Sequence, residues 1–321
     1  SDVCSSDLGV NYHVRRGETV GIVGESGSGK SVTALSLMRL VPSPPGHIVG
    51  GTVVLNGRNL LELTEGEMTA VRGGEISIIL QDPMQALNPV FNIENQVGEA
   101  IRIHQKLKGA VLWDKIVDSL RKVRIPAPEV RAKDFPHQLS GGMRQRVVGA
   151  IGISSAPSVI IADEPTTALD VTIQAQILDL MKALTTEFGV ALIVITHNLG
   201  VVARYADRVN IMYAGKVIER GEAKEIYANP RHPYTVGLLR SVPRLDLPRR
   251  AKLDPIDGQP PDLINLPPGC AFRERCRWAI DKCATDMPEL VELADGHLSA
   301  CFRAEELGPT AIDFLNAPAA E

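Results

Sequence analysis

The sequence predicts an α/β fold built on a buried, mostly parallel sheet. Three apolar, β-branched runs carry that reading. Thr19–Val23 leads into a glycine-rich turn and a lysine, Val159–Glu164 ends in paired carboxylates, and Val190–Ile195 is followed by a histidine. Runs without polar alternation are covered on both faces, and open α/β sheets place their chemistry beyond the carboxyl ends of their strands.

Taken in order, Thr19–Val23 reads as the first buried strand and Ser31 onward (SVTALSLMRL) as a helix. Between them Gly24 to Ser31 reads GESGSGKS, the pattern G-x-x-x-x-G-K-S. In that arrangement Gly27 and Gly29 let the backbone wrap a polyphosphate. Amide groups around Glu25, Ser26, Ser28 and Val32 point at it, and the helix N-terminus adds its dipole. Lys30 is placed to reach the β- and γ-phosphates, and the Ser31 hydroxyl to ligate Mg²⁺. Val49 to Asn56 reads as a peripheral strand, and Ile76 to Leu80 as a further strand before Gln81, which can ligate Mg²⁺ or orient water. A helical insert from about Pro83 to Ser155 contains LSGGMRQR, Leu139 to Arg146. There Ser140 is a helix cap beside the bare amides of Gly141 and Gly142, which makes an anion site.

The strand from Val159 delivers Asp163, expected to hold Mg²⁺ through water, and Glu164, expected to polarise the attacking water as general base. The helix after it carries Ile173, Ile177, Leu180, Met181 and Leu184 on one face, with Gly189 as its stop. The strand from Val190 ends at Thr196 and His197, at the same sheet edge. Val209 to Glu219 reads as further peripheral strand.

The order of these motifs resembles the ATP-binding subunits of ABC transporters. By that resemblance Walker A is Gly24 to Ser31, the Q-loop Gln81, the signature Leu139 to Gln145, Walker B Val159 to Glu164, the D-loop Ala168 to Asp170 and the switch histidine His197. Within that superfamily QDPMQALNP (Gln81 to Pro89), ADEPTTALDVTIQAQIL (Ala162 to Leu178) and HPYT (His232 to Thr235) look like the di- and oligopeptide importer branch. The resemblance runs from about Val10 to Phe302. It implies a P-loop cassette over residues 1–231, with a RecA-like core, peripheral antiparallel strands and a helical subdomain at about 83–155, then an extension over 232–321. It also implies that ATP with Mg²⁺ is held between two cassettes, with Ser140, Gly141, Gly142 and Gln145 of one closing on the γ-phosphate bound by the other and Asp170 relaying closure. The implied partners are a paralogous ATPase subunit or a second copy of this chain, two membrane permease subunits and, indirectly, an extracytoplasmic binding protein. The implied location is the cytoplasmic face of the membrane, peripherally bound. Nickel and glutathione importers use similar ATPases, so the cargo stays open between these and peptides.

Charge and hydropathy agree with that reading. A net charge of −4 gives no basic footprint of the kind nucleic-acid binders carry. No apolar run approaches the ~20 residues that span a bilayer, and no signal peptide is visible. Soluble ABC ATPases of DNA repair or the ribosome share the motifs, but usually join two cassettes or carry long basic or coiled-coil inserts, and neither is present. A catalytically dead regulatory cassette is disfavoured by intact Lys30, Asp163, Glu164 and His197.

After His232 prolines thicken and periodicity fades, which predicts a loop-rich, core-poor extension. It holds Cys270, Cys276, Cys283 and Cys301, four of the five cysteines, spaced C-x5-C-x6-C-x17-C. Disulfides are disfavoured in a reducing cytoplasm, and zinc sites usually carry C-x2-C knuckles, which are lacking here. Resemblance to importer ATPases that carry a four-iron four-sulfur cluster on such cysteines favours iron–sulfur, with zinc and free thiols as alternatives. Arg273, Arg275 and Arg277 would offset the cluster's negative charge. The opening SDVCSSDL does not look like the first strand of these subunits, so foreign or truncated sequence is expected up to about Leu8, with Cys4 included. Tyr12 lies too close to the phosphate loop to serve as the family's adenine-stacking aromatic. Asn198 stands where an aspartate commonly follows the histidine.

Overall fold

A computed structural model describes residues 9–80, 86–165, 171–242, 255–294, 296–308 and 311. Gln81, Asp170, the rest of the D-loop and the N-terminal octapeptide with Cys4 lie outside the described residues, as does the side chain of Ile173. Among those described, eight strands form one sheet in the order β4-β5-β6-β1-β7-β8-β10-β9. They are β1 (Thr19–Val23), β4 (Ile76–Ile79), β5 (Val159–Asp163), β6 (Ala191–Thr196), β7 (Arg208–Tyr213), β8 (Lys216–Glu222), β9 (Val291–Ala294) and β10 (His297–Ser299). A separate two-stranded ribbon pairs β2 (Val54–Leu55) with β3 (Arg58–Asn59).

The first five strands of that order run parallel. β1 and β6 are buried at every residue, matching their unalternating apolar sequence. Register sets the functional geometry. Val23 lies opposite Thr196, and Asp163 opposite Ile195, so β1, β5 and β6 end level with one another.

Two expectations change. Val209 to Glu219 is not a peripheral strand: β7 pairs in parallel with β1 inside the core sheet, and β8 turns back antiparallel on it. The turn residues Ala214 and Gly215 interrupt what the sequence alone presents as one apolar run. Likewise the segment after His232 is not core-poor. β10 and β9 extend the main sheet beyond β8, and Phe272 and Ala300 share a core cluster with Ile211, Tyr213 and Tyr234. Tyr213, Tyr234 and Phe272 pack with ring centroids 4.7 to 5.4 Å apart, in the tilted and edge-on geometry that aromatic quadrupoles favour. Glu219, fully buried on β8, takes a 2.8 Å hydrogen bond from His297 Nε2 on β10 and a 2.6 Å bond from the Arg231 amide. That carboxylate cross-links the extension to the cassette, and no sequence pattern announces it.

The helical insert packs Ile93–Gln105, Gly109–Lys122 and Gly141–Ser154 around Ile93, Val97, Ile101, Ile116 and Leu120, in one cluster with Ile79, Ile160 and Leu192 of the sheet. Helix Val171–Phe188 adds Ile177, Leu180, Met181 and Leu184 to that cluster, the face its periodicity predicts. Among the described residues, no helix is long and apolar enough to cross a membrane.

Candidate nucleotide site

Gly24 closes β1 against Met212 of β7. A Cβ there would stand 2.2 Å from the Met212 carbonyl oxygen, a distance no side chain survives. Gly27 and Gly29 hold φ of +81° and +97°, the left-handed region that glycine enters without steric cost. The turn then feeds helix Lys30–Leu37. The Lys30 ammonium is buried and donates to the Gly24 and Glu25 carbonyl oxygens, at 2.8 Å each, with Ser28 Oγ at 3.4 Å. Burial pushes its pKa down, while Glu164, Asp163 and Glu25 pull it back up.

Across the edge, Asp163 is buried, and burial raises its carboxyl above the usual range, opposed by a hydrogen bond with Ser31. Its Oδ1 has no hydrogen-bond partner among the described residues. An orphaned carboxylate oxygen beside a hydroxyl is a donor set suited to a hard divalent cation such as Mg²⁺. Glu164 occupies φ +47°, unusual for a non-glycine residue, and its amide donates to the Ile195 carbonyl at 2.9 Å. This kinked backbone brings Glu164 Oε1 to 3.0 Å from His197 Nδ1. The histidine is half exposed and the glutamate mostly buried. Lysine, two carboxylates and histidine therefore meet where β1, β5 and β6 end together.

The glycine-led helix Gly141–Ser154 starts with Ser140 Oγ accepting from the Met143 amide at 3.3 Å, with Ser140 and Gly141 exposed and Gly142 partly so. Gln145 differs from expectation. It is 2% exposed and faces inward, because the 3.6-residue repeat turns it away from the helix start towards Ile79, Ile160 and Ile177. It does not share the exposed surface of Ser140 and Gly141.

The four C-terminal cysteines form no disulfide and line one pocket with Phe272, Phe302 and His232. The Cys270 amide donates to the Cys283 carbonyl at 2.9 Å, so two segments meet there. Burial, with a smaller contribution from neighbouring thiols, pushes Cys276 up to about 12 and Cys301 up to about 11. His232, fully buried, is pushed down to about 3 and stays neutral. Among the described residues no three His, Cys, Asp or Glu side chains are arranged to hold a single metal ion.

Residues 8–167 match the family described as ABC transporter, and residues 218–283 match the oligopeptide/dipeptide transporter, C-terminal region. A probable peptide ABC transporter ATP-binding protein, y4tR, of Sinorhizobium fredii is 50% identical across 93% of this chain and 89% of its own length. The chain belongs to the ABC transporter family of ATP-binding proteins. OppD of Bacillus subtilis, an oligopeptide transport ATP-binding protein, is 50% identical over 90% of this ABC ATPase and 81% of its own chain. DppD of the same species, a dipeptide transport ATP-binding protein, is 48% identical over 95% and 90%. Among solved structures, the cassette MJ0796, a dimer in a post-hydrolysis state with ADP and phosphate, aligns with TM-score 0.60 at 28% identity, over 68% of this chain and 90% of its own. CbiO1 of Clostridium perfringens, part of the transporter complex cbiONQ, aligns at 0.62 with 26% identity, over 70% and 84%. The chain is thus an ATPase of the ATP-binding cassette fold.

In this ABC ATPase the structure brings together Gly24–Ser31, Asp163, Glu164 and His197, while Gln81 and Asp170 fall outside the described residues. Tyr12 packs partly buried against the core around Leu60 and Met212. Arg275 departs from its expected place beside the cysteines. Its guanidinium forks onto Glu25 of the phosphate loop, 250 residues away, at 2.6 and 2.9 Å. Arg273 donates to the Ala284 carbonyl and Arg277 pairs with Asp257. Nothing local in the sequence distinguishes Arg275 from those two.

Proposed function

We propose that this chain is the ATP-hydrolysing subunit of an importer of di- and oligopeptides. The single observation that supports this most is the match of residues 218–283 to the oligopeptide/dipeptide transporter C-terminal region. Relatives named for peptide transport align along nearly the whole chain beside it.

In this reading the loop from Gly24 to Ser31, with the Val32 amide behind it, holds the polyphosphate, and Lys30 leaves the loop carbonyls to bind the β- and γ-oxygens. Ser31, Asp163 and Gln81 would hold Mg²⁺, which when bound would offset charge on the phosphates. Glu164 takes the proton of the attacking water, while His197, with Nδ1 3.0 Å from Glu164 Oε1, contacts the γ-phosphate. Ser140, Gly141 and Gly142 close on the γ-phosphate of a second cassette, and Asp170 transmits that closure. Gln145 drops out of the contact set because it is buried. The second cassette is a paralogous subunit in preference to a second copy, the pair drives two membrane permease subunits, and an extracytoplasmic protein delivers the cargo. The subunit then works at the cytoplasmic face of the membrane.

Uptake of labelled di- and oligopeptides, nickel and glutathione, compared in cells with and without this subunit, tests the assignment. Loss of peptide uptake alone is the expected result. Loss of nickel or glutathione uptake instead would reassign the cargo, and unchanged uptake of all four would point to a soluble cassette outside transport.

The same reading gives Cys270, Cys276, Cys283 and Cys301 a four-iron four-sulfur cluster. What supports this is that all four line one pocket, where a cluster would take the four thiolates as its ligands. Thiols held neutral by burial need that positive charge to ionise. The cluster would staple the extension. Anaerobic purification is expected to give a brown protein with visible absorption and about four irons per chain. A colourless, iron-free protein overturns the assignment.

A further inference from the structure

The phosphate loop carries one residue whose charge opposes its task. Glu25 sits between Gly24 and Ser26, where amides and Lys30 gather to receive a polyanion, and a bare carboxylate there repels the incoming phosphates.

Every polar group of Glu25 is nevertheless held. Its carbonyl accepts from Lys30 Nζ at 2.8 Å, within the loop. Its amide donates to the Tyr234 hydroxyl at 2.8 Å, from helix Pro233–Arg240. Its carboxylate takes two parallel bonds from Arg275, Nη1 to Oε2 at 2.6 Å and Nη2 to Oε1 at 2.9 Å. Paired bonds of this kind fix geometry as well as charge.

Arg275 is itself immobilised. Its side chain is 5% exposed, its Nε donates to the Asp257 carbonyl at 2.9 Å, and its guanidinium lies over the rings of Tyr213 and Phe272, 5.8 and 5.9 Å from their centroids. With Arg275 enclosed and the Glu25 side chain 29% exposed, the pair is screened by salt less than a pair on the open surface and keeps its orientation. The two groups from beyond residue 231 that grip Glu25 come from different segments, one a helix and one the turn before Cys276.

We propose that Arg275 is a positioning residue for ATP binding. It cancels the Glu25 charge and locks the phosphate loop in its receiving form, so the C-terminal extension takes part in nucleotide affinity. The inference rests on ATP binding and is independent of the cargo.

Steady-state ATPase measurements on the full-length chain test it, with Arg275→Ala, Arg275→Lys, Glu25→Gln and the double variant Arg275→Ala/Glu25→Gln at fixed ionic strength. Arg275→Ala is expected to raise the KM for ATP about tenfold with kcat within about twofold. Arg275→Lys should fall between, since lysine keeps the charge and loses the fork. The double variant should recover most of the affinity, because the carboxylate that needed cancelling is gone. An unchanged KM in Arg275→Ala, or a double variant as defective as the single one, overturns the proposal and leaves Arg275 a structural tie. Should Arg275→Ala fail to fold, Arg275→Lys decides. A raised KM that returns towards wild type on adding Glu25→Gln supports the proposal, and an unchanged KM refutes it.

Discussion

Replacing Glu164 with glutamine is expected to lower ATP turnover by roughly 10²- to 10⁴-fold, the range a positioned general base contributes. The substitution preserves shape and the contact with His197 Nδ1, now 3.0 Å from Glu164 Oε1, but it removes the atom that takes the water proton. The backbone should not object, because the φ of +47° at this position is set by the turn and the Ile195 bond, which glutamine meets as glutamate does. Nucleotide binding should survive, since Lys30 and the glycine turn are untouched. Phosphate-release kinetics, read beside titration with a fluorescent ATP analogue, separate the two. An ATP-loaded dimer should accumulate on size exclusion, because the reset step is blocked. Wild-type turnover in this variant would remove Glu164 from the base role.

Replacing Lys30 with alanine should act at the opposite step, weakening ATP affinity on the order of 100-fold. That corresponds to the ~2–3 kcal/mol typical of a hydrogen bond to a charged group. The expectation comes from the balance of charge at the sheet edge. Lys30 faces Asp163, Glu164 and Glu25, and these are the groups that pull its pKa up against burial. Without the ammonium, Asp163 and Glu164 face the place where the phosphates would sit without the lysine's opposing charge, the Gly24 carbonyl loses the lysine donor, and the Glu25 carbonyl keeps the Ser28 amide at 3.2 Å. Equilibrium binding of ATP with and without Mg²⁺ measures the loss. Normal affinity would contradict the phosphate-cradle assignment.

The two variants differ in what they leave intact, which reflects the separation of binding from chemistry along the strand ends. Binding belongs to the turn after β1, and chemistry to the residues after β5 and β6. The three are level because Val23, Thr196, Ile195 and Asp163 share register. A one-residue slip in either pairing would place the carboxylates on the wrong face of the sheet.

Much of this site was legible in the chain itself. A glycine turn has to be written as glycines, because φ of +81° and +97° and the approach of Met212 exclude side chains. Buried strands have to be apolar, so Thr19–Val23 and Ala191–Thr196 stand out within one or two residues of their observed ends. The helix Val171–Phe188 declares its buried face through spacing alone. These are local constraints, and local constraints leave a local pattern.

The α/β class, the phosphate turn, the carboxylate pair and the histidine can all be read along the chain, since each depends on residue types within a few positions. Long-range packing made β7 a core strand, drew the region after His232 into the sheet and turned Gln145 inward. It also decided that Arg275 reaches Glu25 and not the cysteines beside it. Pairings between residues up to 250 positions apart are selected by packing and charge once the chain has folded, and one sequence holds no periodic trace of them.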